Sequence, residues 1–405
     1  MFNPIIPDQG DLGELKDIAQ DVIDGSARLE GRVALETAKV LGDHLRLVNS
    51  YYSNLIEGHK TTIPEIEQAL SKRFTGDDER QYAQELCAAH VEAERTLMKK
   101  VLGDAELNVA DADFLRLIHQ EFYSHLPPHH LCTHGEKGFT DHPVLPGKFR
   151  DQYVSVGINK APIGPSPGDV PKYVNEFAKA YAPGAFHGDE RLIAMAAAHH
   201  RLTWIHPFRD GNGRVCRLFS GLFMAAAKIN RSNLWSLSRG LSRNKNEYMV
   251  NLFSADPDPR PKDEVRFSAS ELLADFCVFF FETCLDQIHF MEGLLRLEEI
   301  EARIEWYVEK RARGSKGDMH PKASRLLRAL FMRGQIERGE GPNILNVSET
   351  SYRRILKQLL QEGLVVSDSQ RAPLRVGLPS KALPVYFPDL YAEEIVGAEY
   401  LRQLD

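Results

Sequence analysis

The 405-residue chain has no Gly-x-x-x-x-Gly-Lys-Ser/Thr segment, so a P-loop is excluded as its means of holding a nucleotide. Cysteine is sparse: the five, at 87, 132, 216, 277 and 284, follow no regular spacing, and an odd number without a secretory signal predicts free thiols in a reducing cytoplasm. Met1-Phe-Asn-Pro lacks the basic leader and apolar core of an export segment. Long apolar runs are missing as well. Phe276 to Phe281 is the nearest approach, but Asp275 and Glu282 bracket it far short of a bilayer span, which predicts a buried helix and no membrane partner. Nor is there an excess of positive charge: 50 Lys and Arg against 57 Asp and Glu leave −7, which argues against general nucleic-acid coating. Internal repeats and low-complexity tracts do not occur. A length of 405 residues, 43% hydrophobic and 26% charged, suits a globular protein of two or three domains.

What the chain does have is a dense polar stretch, His206-Pro-Phe-Arg-Asp-Gly-Asn-Gly-Arg-Val-Cys-Arg217. Imidazole titrates nearest neutrality, so His206 is a candidate general base. Asp210 offers the hard oxygen that Mg²⁺ prefers. Gly211, Asn212 and Gly213 have the small or left-handed-tolerant character that lets successive backbone N–H groups converge on an anion. Val215, Leu218, Phe219, Leu222 and Phe223 then recur at helical steps, which leaves Arg214 and Arg217 one turn apart at the positive end of a helix. Upstream, Leu192, Ile193, Ala196 and Ala197 mark a helix over Asp189 to Trp204 that Pro207 terminates. The pattern is helix, tight anion loop, helix. A dinucleotide fingerprint is rejected, because Cys216 stands where a third glycine belongs and a helix precedes the run.

This stretch resembles the Fic family signature His-x-Phe-x-Asp/Glu-Gly-Asn-Gly-Arg-x-x-Arg and matches it at every specified position. The resemblance implies nucleotidyl transfer, typically of AMP from ATP to a protein hydroxyl, with ATP as substrate and Mg²⁺ as its cation. By position, His206 would deprotonate the target hydroxyl, Asp210 would hold Mg²⁺, and Gly211, Asn212 and Gly213 would form the anion hole. Arg214 and Arg217 would contact the outer phosphates, and Phe208 would be core. Family members that act as kinases carry lysine where Gly213 stands, so adenylylation is preferred over phosphorylation.

A second constellation is Ser53-Asn-Leu-Ile-Glu57-Gly58. Leu41, Leu45, Val48, Tyr52 and Leu55 mark a helix from about Leu35 to Glu57, with Gly58 as its C-terminal cap. Glu57 in the last turn opposes the helix dipole and wants a cation, for which Lys60 or solvent would serve. By resemblance, Ser53, Glu57 and Gly58 belong to the inhibitory helix that many Fic proteins carry, and Glu57 would pair with Arg217. The same glutamate has an alternative role in the family, orienting water to remove AMP.

Other segments carry less. Gly147 to Gly157 alternates at Val154 and Val156 and reads as the hairpin flap that, by the same resemblance, holds a target segment extended. Leu234 to Leu241 and Asn244 to Tyr248 resemble Fic sequence from the adenine side, so Asn244 and Tyr248 are candidate base contacts alongside core packing and capping. His199 and His200 read as buried histidines outside the site. His129, His130, Cys132 and His134 fit no standard zinc spacing and lack a second ligand pair, so a polar loop is expected there.

The expected fold is mainly α: an N-terminal helical region (1–108) with the inhibitory helix, a Fic helical-bundle core with a small β-hairpin flap (109–262), connecting helices (263–313) and a C-terminal winged helix-turn-helix (314–405). Gly314 to Asp318 reads as a linker, Ala323 to Arg333 and Ser348 to Glu362 as helices, and Gly363-Leu-Val-Val and Arg371 to Val376 as short strands. Residues 314–375 hold eleven Lys and Arg against six Asp and Glu, so DNA is a candidate partner there, with Tyr352, Arg353 and Lys357 as readers. Dimer or peptide docking is the other use of such a module. The expected function is an autoinhibited protein adenylyltransferase acting on Ser, Thr or Tyr hydroxyls, itself included, and assembling as a homo-oligomer such as a homodimer. De-adenylylation or transfer of another nucleotide are alternatives, as is a DNA-binding regulator whose core only senses nucleotide.

Overall fold

The computed structural model describes residues 3–135, 138–154, 164–182, 184–256, 268–314 and 319–390. The N-terminal region is built from α1 (Leu12–Gly31), α2 (Leu35–Ile56), α3 (Ile63–Leu70) and α4 (Asp78–Gly103). Their boundaries follow local chemistry. Thr62 caps α3 by accepting from the Glu65 N–H with Pro64 in the first turn, and Asp77 caps α4 through the Arg80 N–H. α2 stops where Gly58 takes φ +95°, a conformation that would strain a β-carbon.

The central bundle holds α5 (Ala112–Ser124), α6 (Val170–Ala180), α7 (Glu190–Ile205), α8 (Asn212–Ala226), α9 (Leu237–Arg243) and α10 (Lys245–Ser254). α7 is alanine-rich and buried on nearly every face, from Leu192 to Leu202, which lets α8, α11 (Ala269–Leu294) and α1 approach it closely. Ser268 and Glu271 close a reciprocal capping box at the start of α11, and its apolar run Phe276 to Phe281 is buried as expected. No helix among the described residues is long and apolar enough to cross a membrane.

Beyond α12 (Leu297–Arg313) lies a small unit of α13 (Ala323–Arg333), α14 (Gly341–Leu345), α15 (Glu349–Gln361) and a three-stranded antiparallel sheet. Two strands occur early in the chain, β1 (Cys132–Gly135) and β2 (Gly138–Pro143); the sheet uses β3 (Gln335–Ile336), β4 (Val365–Val366) and β5 (Leu374–Val376) in the order β3-β5-β4. A final turn, α16 (Leu383–Tyr386), packs on α12. This unit rests on the start of α2: Thr37 donates to the Phe331 carbonyl at 2.8 Å, and Arg375 faces Glu36.

A hairpin lies at 132–143, ahead of the alternating segment. Of that segment, the described residues 147–154 contain a single bridge from Phe149 to Phe208, and the hairpin expected at Gly147 to Gly157 runs into Ser155 to Gly157, which lie outside the described residues. Two expectations need correction. The histidine-rich loop runs into a strand at Cys132. Tyr352 is not a surface reader, because it is buried with its hydroxyl donating to the Arg338 carbonyl at 2.9 Å.

Among the buried histidines of the described residues, His44, His90, His119 and His199 have pKa values that burial lowers to about 3. Below the unfolded value of about 6.5 the unfolded chain takes up protons that the folded chain refuses, so stability is retained above that pH and lost as pH falls. Each such site removes up to roughly 1.4 kcal/mol per pH unit. The urea midpoint should therefore drop steeply between pH 7.5 and 5.5; an unchanged midpoint would show that these histidines are not held neutral.

Candidate active site

A cleft of 440 Å³ opens where α7, α8 and α10 meet the end of α2, and Glu57, Tyr153, His206, Asp210, Arg217 and Tyr248 lie on its walls. A larger cavity of 1240 Å³ on the other side of the α2 terminus, lined by Tyr52, Arg80 and Arg239, holds none of the signature residues.

The loop between α7 and α8 is fixed from within. His206 takes φ +49°, turning the chain out of α7, and Gly211 takes φ +76° before α8 begins. Between them the Asn212 side chain accepts from the Phe208 N–H and donates to the Phe208 carbonyl, both at 2.8 Å. The Phe208 ring is fully buried and stacks on His119 at 4.1 Å. Arg150 secures the outer side, donating through Nε to the His206 carbonyl at 2.7 Å, through its N–H to the Pro207 carbonyl at 2.9 Å, and through Nη2 to the Pro165 carbonyl at 2.6 Å.

His206 Nδ1 faces the Thr203 carbonyl at 3.2 Å, so that nitrogen carries the proton and Nε2 keeps its lone pair. Burial lowers its pKa to about 4 despite the Thr203 carbonyl, which favours the charged form; the ring is a neutral base at physiological pH. Burial would raise the Asp210 pKa, but Arg214 and the Tyr123 hydroxyl outweigh it, so the carboxylate is ionised. Its Oδ2 accepts from Tyr123 at 2.6 Å and from Arg214 at 3.3 Å. An ionised carboxylate facing a cleft suits Mg²⁺, which takes one or two carboxylates and completes its shell with substrate phosphates and water.

At the start of α8 no side chain caps the helix, so its first N–H groups face the cleft. Glu57 lies over them. Its Oε1 accepts from Arg217 Nη2 at 2.6 Å, and a β-carbon on Gly213 would collide with the same oxygen. Burial pushes the Glu57 pKa up, but Arg217 and Arg214 more than reverse it, and the side chain is an anion. Arg217 is also held by Ser53, through Nε to Oγ and Nη2 to the carbonyl, both at 2.9 Å. Lys245 anchors the end of α2 by donating to the Ile56 carbonyl at 2.5 Å.

The structure thus brings together His206, Asp210, Gly211, Asn212, Gly213, Arg214, Arg217, Ser53 and Glu57, with Gly58 ending the helix that presents the last two. Tyr248 lines the cleft, but its hydroxyl is committed to His199 Nε2 at 2.8 Å, while His199 Nδ1 pairs with Ser220 at 2.7 Å. Asn244 is not brought in: it is exposed at the junction of α9 and α10, outside the cleft lining. Tyr123 and Arg150 escaped sequence reasoning. A lone tyrosine on an amphipathic helix and a lone arginine in a loop carry no spacing signal.

Residues 109–224 match the model of the Fic/DOC family. Among curated relatives, "Protein adenylyltransferase Fic" of Nematostella vectensis is 34% identical over 89 residues, 21% of this chain and 19% of that protein. The protein of the same name from Drosophila erecta is 26% identical over 208 residues, 50% of this chain and 36% of that one. The chain therefore spans about a third or less of the length of these two relatives. A Fic family protein from Desulfovibrio desulfuricans G20 has a similar fold, with a TM-score of 0.52 at 15% identity over 89% of this chain and 95% of that one. The loop, the cleft it lines and these likenesses agree: the chain carries a Fic domain, of the Fic/DOC family, at residues 109–224.

Proposed function

We propose that the protein is an adenylyltransferase held in check by its own α2, transferring AMP from Mg-ATP to a Ser, Thr or Tyr hydroxyl of a protein, itself included. The observation that carries this reading is the meeting of a neutral, oriented His206 with an uncapped helix start on which an internal carboxylate sits. His206 Nε2 takes the proton of the attacking hydroxyl. The hydroxyl oxygen bonds to the α-phosphorus, the bond from that phosphorus to the bridging oxygen breaks, and pyrophosphate leaves. Mg²⁺ at Asp210 neutralises phosphate charge when bound. The α8 N–H groups and Arg214 stabilise the oxygens on which charge accumulates. Glu57 sits as an anion over the same helix start and holds Arg217, so it repels the triphosphate and withholds its ligand.

A second reading, a DNA-binding regulator, rests on Arg353, Arg354 and Lys357 standing exposed on α15. Much of the local basic charge is spent internally, however: Arg328, Arg333, Arg353 and Arg375 face Glu301, Glu340, Glu349 and Asp368. A gel shift of the full chain at low salt checks it, and no shift is expected.

Removing a charge-assisted contact of about 1.5–3 kcal/mol corresponds to roughly 10- to 100-fold. Glu57→Gly should raise label transfer from α-labelled ATP by about that factor; equal rates in wild type and variant would exclude the throttle. His206→Ala in the Glu57→Gly background should abolish transfer while leaving ATP binding in place, and retained transfer would remove His206 as the base. Because His206 titrates at about 4, kcat of Glu57→Gly should stay level from pH 8 to about 5 and fall below that. An inflection near 6.5 would contradict an imidazole that the cleft holds neutral.

A further inference from the structure

We propose that Glu85, His129 and His130 form a binding site for a divalent transition cation of the zinc class, separate from the nucleotide cleft. Spacing along the chain leaves the two histidines without a further ligand; the fold supplies one from α4. A ligand atom from each of the three residues lies within 4.8 Å of the others. His130 Nε2 is 2.8 Å from Glu85 Oε2, and the His129 and His130 rings lie 4.0 Å apart. Ligand atoms on a tetrahedral zinc stand about 3.3 Å apart, so small side-chain rotations would bring the three onto one ion.

The donor set is two imidazoles and a carboxylate, which suits zinc and its neighbours and is a poor match for Mg²⁺ or Ca²⁺. Glu85 and His130 are buried while His129 is exposed, so the ion has protein on one side, a route from solvent on the other, and a fourth position for water. Glu85 is also oriented: Gln81 Nε2 donates to its Oε1 at 3.0 Å, the kind of outer contact that fixes a ligating carboxylate. The ligands come from α4 and from the turn just ahead of β1, so an ion here ties the hairpin to the bundle. It also bears on the active site. Tyr82, one turn before Glu85, packs on His130 at 4.4 Å, and its phenol lies within the field of Arg214 and Asp210.

The test is cobalt binding to the tag-free full chain in excess Mg²⁺, added to compete at Asp210, followed by visible absorption and equilibrium dialysis. One Co²⁺ per chain with the absorption of a low-coordinate nitrogen and oxygen site is expected. Glu85→Gln and His129→Ala should each weaken it by at least about tenfold. His129 is exposed, so its loss does not disturb the core, and circular dichroism of each variant confirms folding. Cobalt affinity unchanged in both variants, or no stoichiometric binding by the wild type, overturns the site. Neither result bears on the transferase reading, which is judged by His206 and Glu57.

Discussion

Asn212 closes its side-chain amide onto both the N–H and the carbonyl of Phe208, and the geometry of the cleft rests on that pair of hydrogen bonds. Four residues of loop are thereby locked into one turn. The Phe208 ring is pressed into the core while His206 and Asp210 remain at the rim. The two contacts also satisfy backbone groups that a buried loop would otherwise leave without partners. Arg150 repeats the device from outside, pinning the carbonyls of His206 and Pro207.

Electrostatics follow from this scaffold. The same burial has opposite effects on the two signature groups: it keeps His206 neutral, whereas Asp210 stays ionised because Arg214 and Tyr123 stand against it. A base that is neutral and an acid that is ionised at physiological pH can serve one reaction without competing for a proton. Glu57 is a third case, an anion maintained by the two arginines that a triphosphate would claim.

Much of this was legible along the chain. The signature loop is contiguous, so its residues declare their neighbours by adjacency, and helices such as α2 and α8 announce themselves by apolar periodicity. The Glu57–Arg217 pair spans 160 residues; the dipole argument established only that Glu57 needs a cation, and family likeness chose which one. Tyr123 reaches Asp210 across 87 residues with no local pattern to mark it. The hairpin at 132–143 was not foreseen, because the Cys132–Pro143 segment is rich in glycine and histidine and its pairing is set by register rather than composition. Asn244 was nominated by likeness alone, and the fold leaves it exposed at the junction of α9 and α10.

α2 is gripped along its length. Thr37 is bonded to the C-terminal unit, Ser50 donates to the Cys87 carbonyl of α4 at 2.7 Å, and Lys245 holds the last turn. Residues on every side of it are buried, from Thr37 to Ile56. Withdrawing such a helix would mean dismantling the bundle, whereas swinging one carboxylate needs only side-chain torsions. On the function proposed above, the restraint would behave as a valve with a fixed housing: what opens it is whatever draws a single acid group off one guanidinium, and the walls of the chamber stay put when it does.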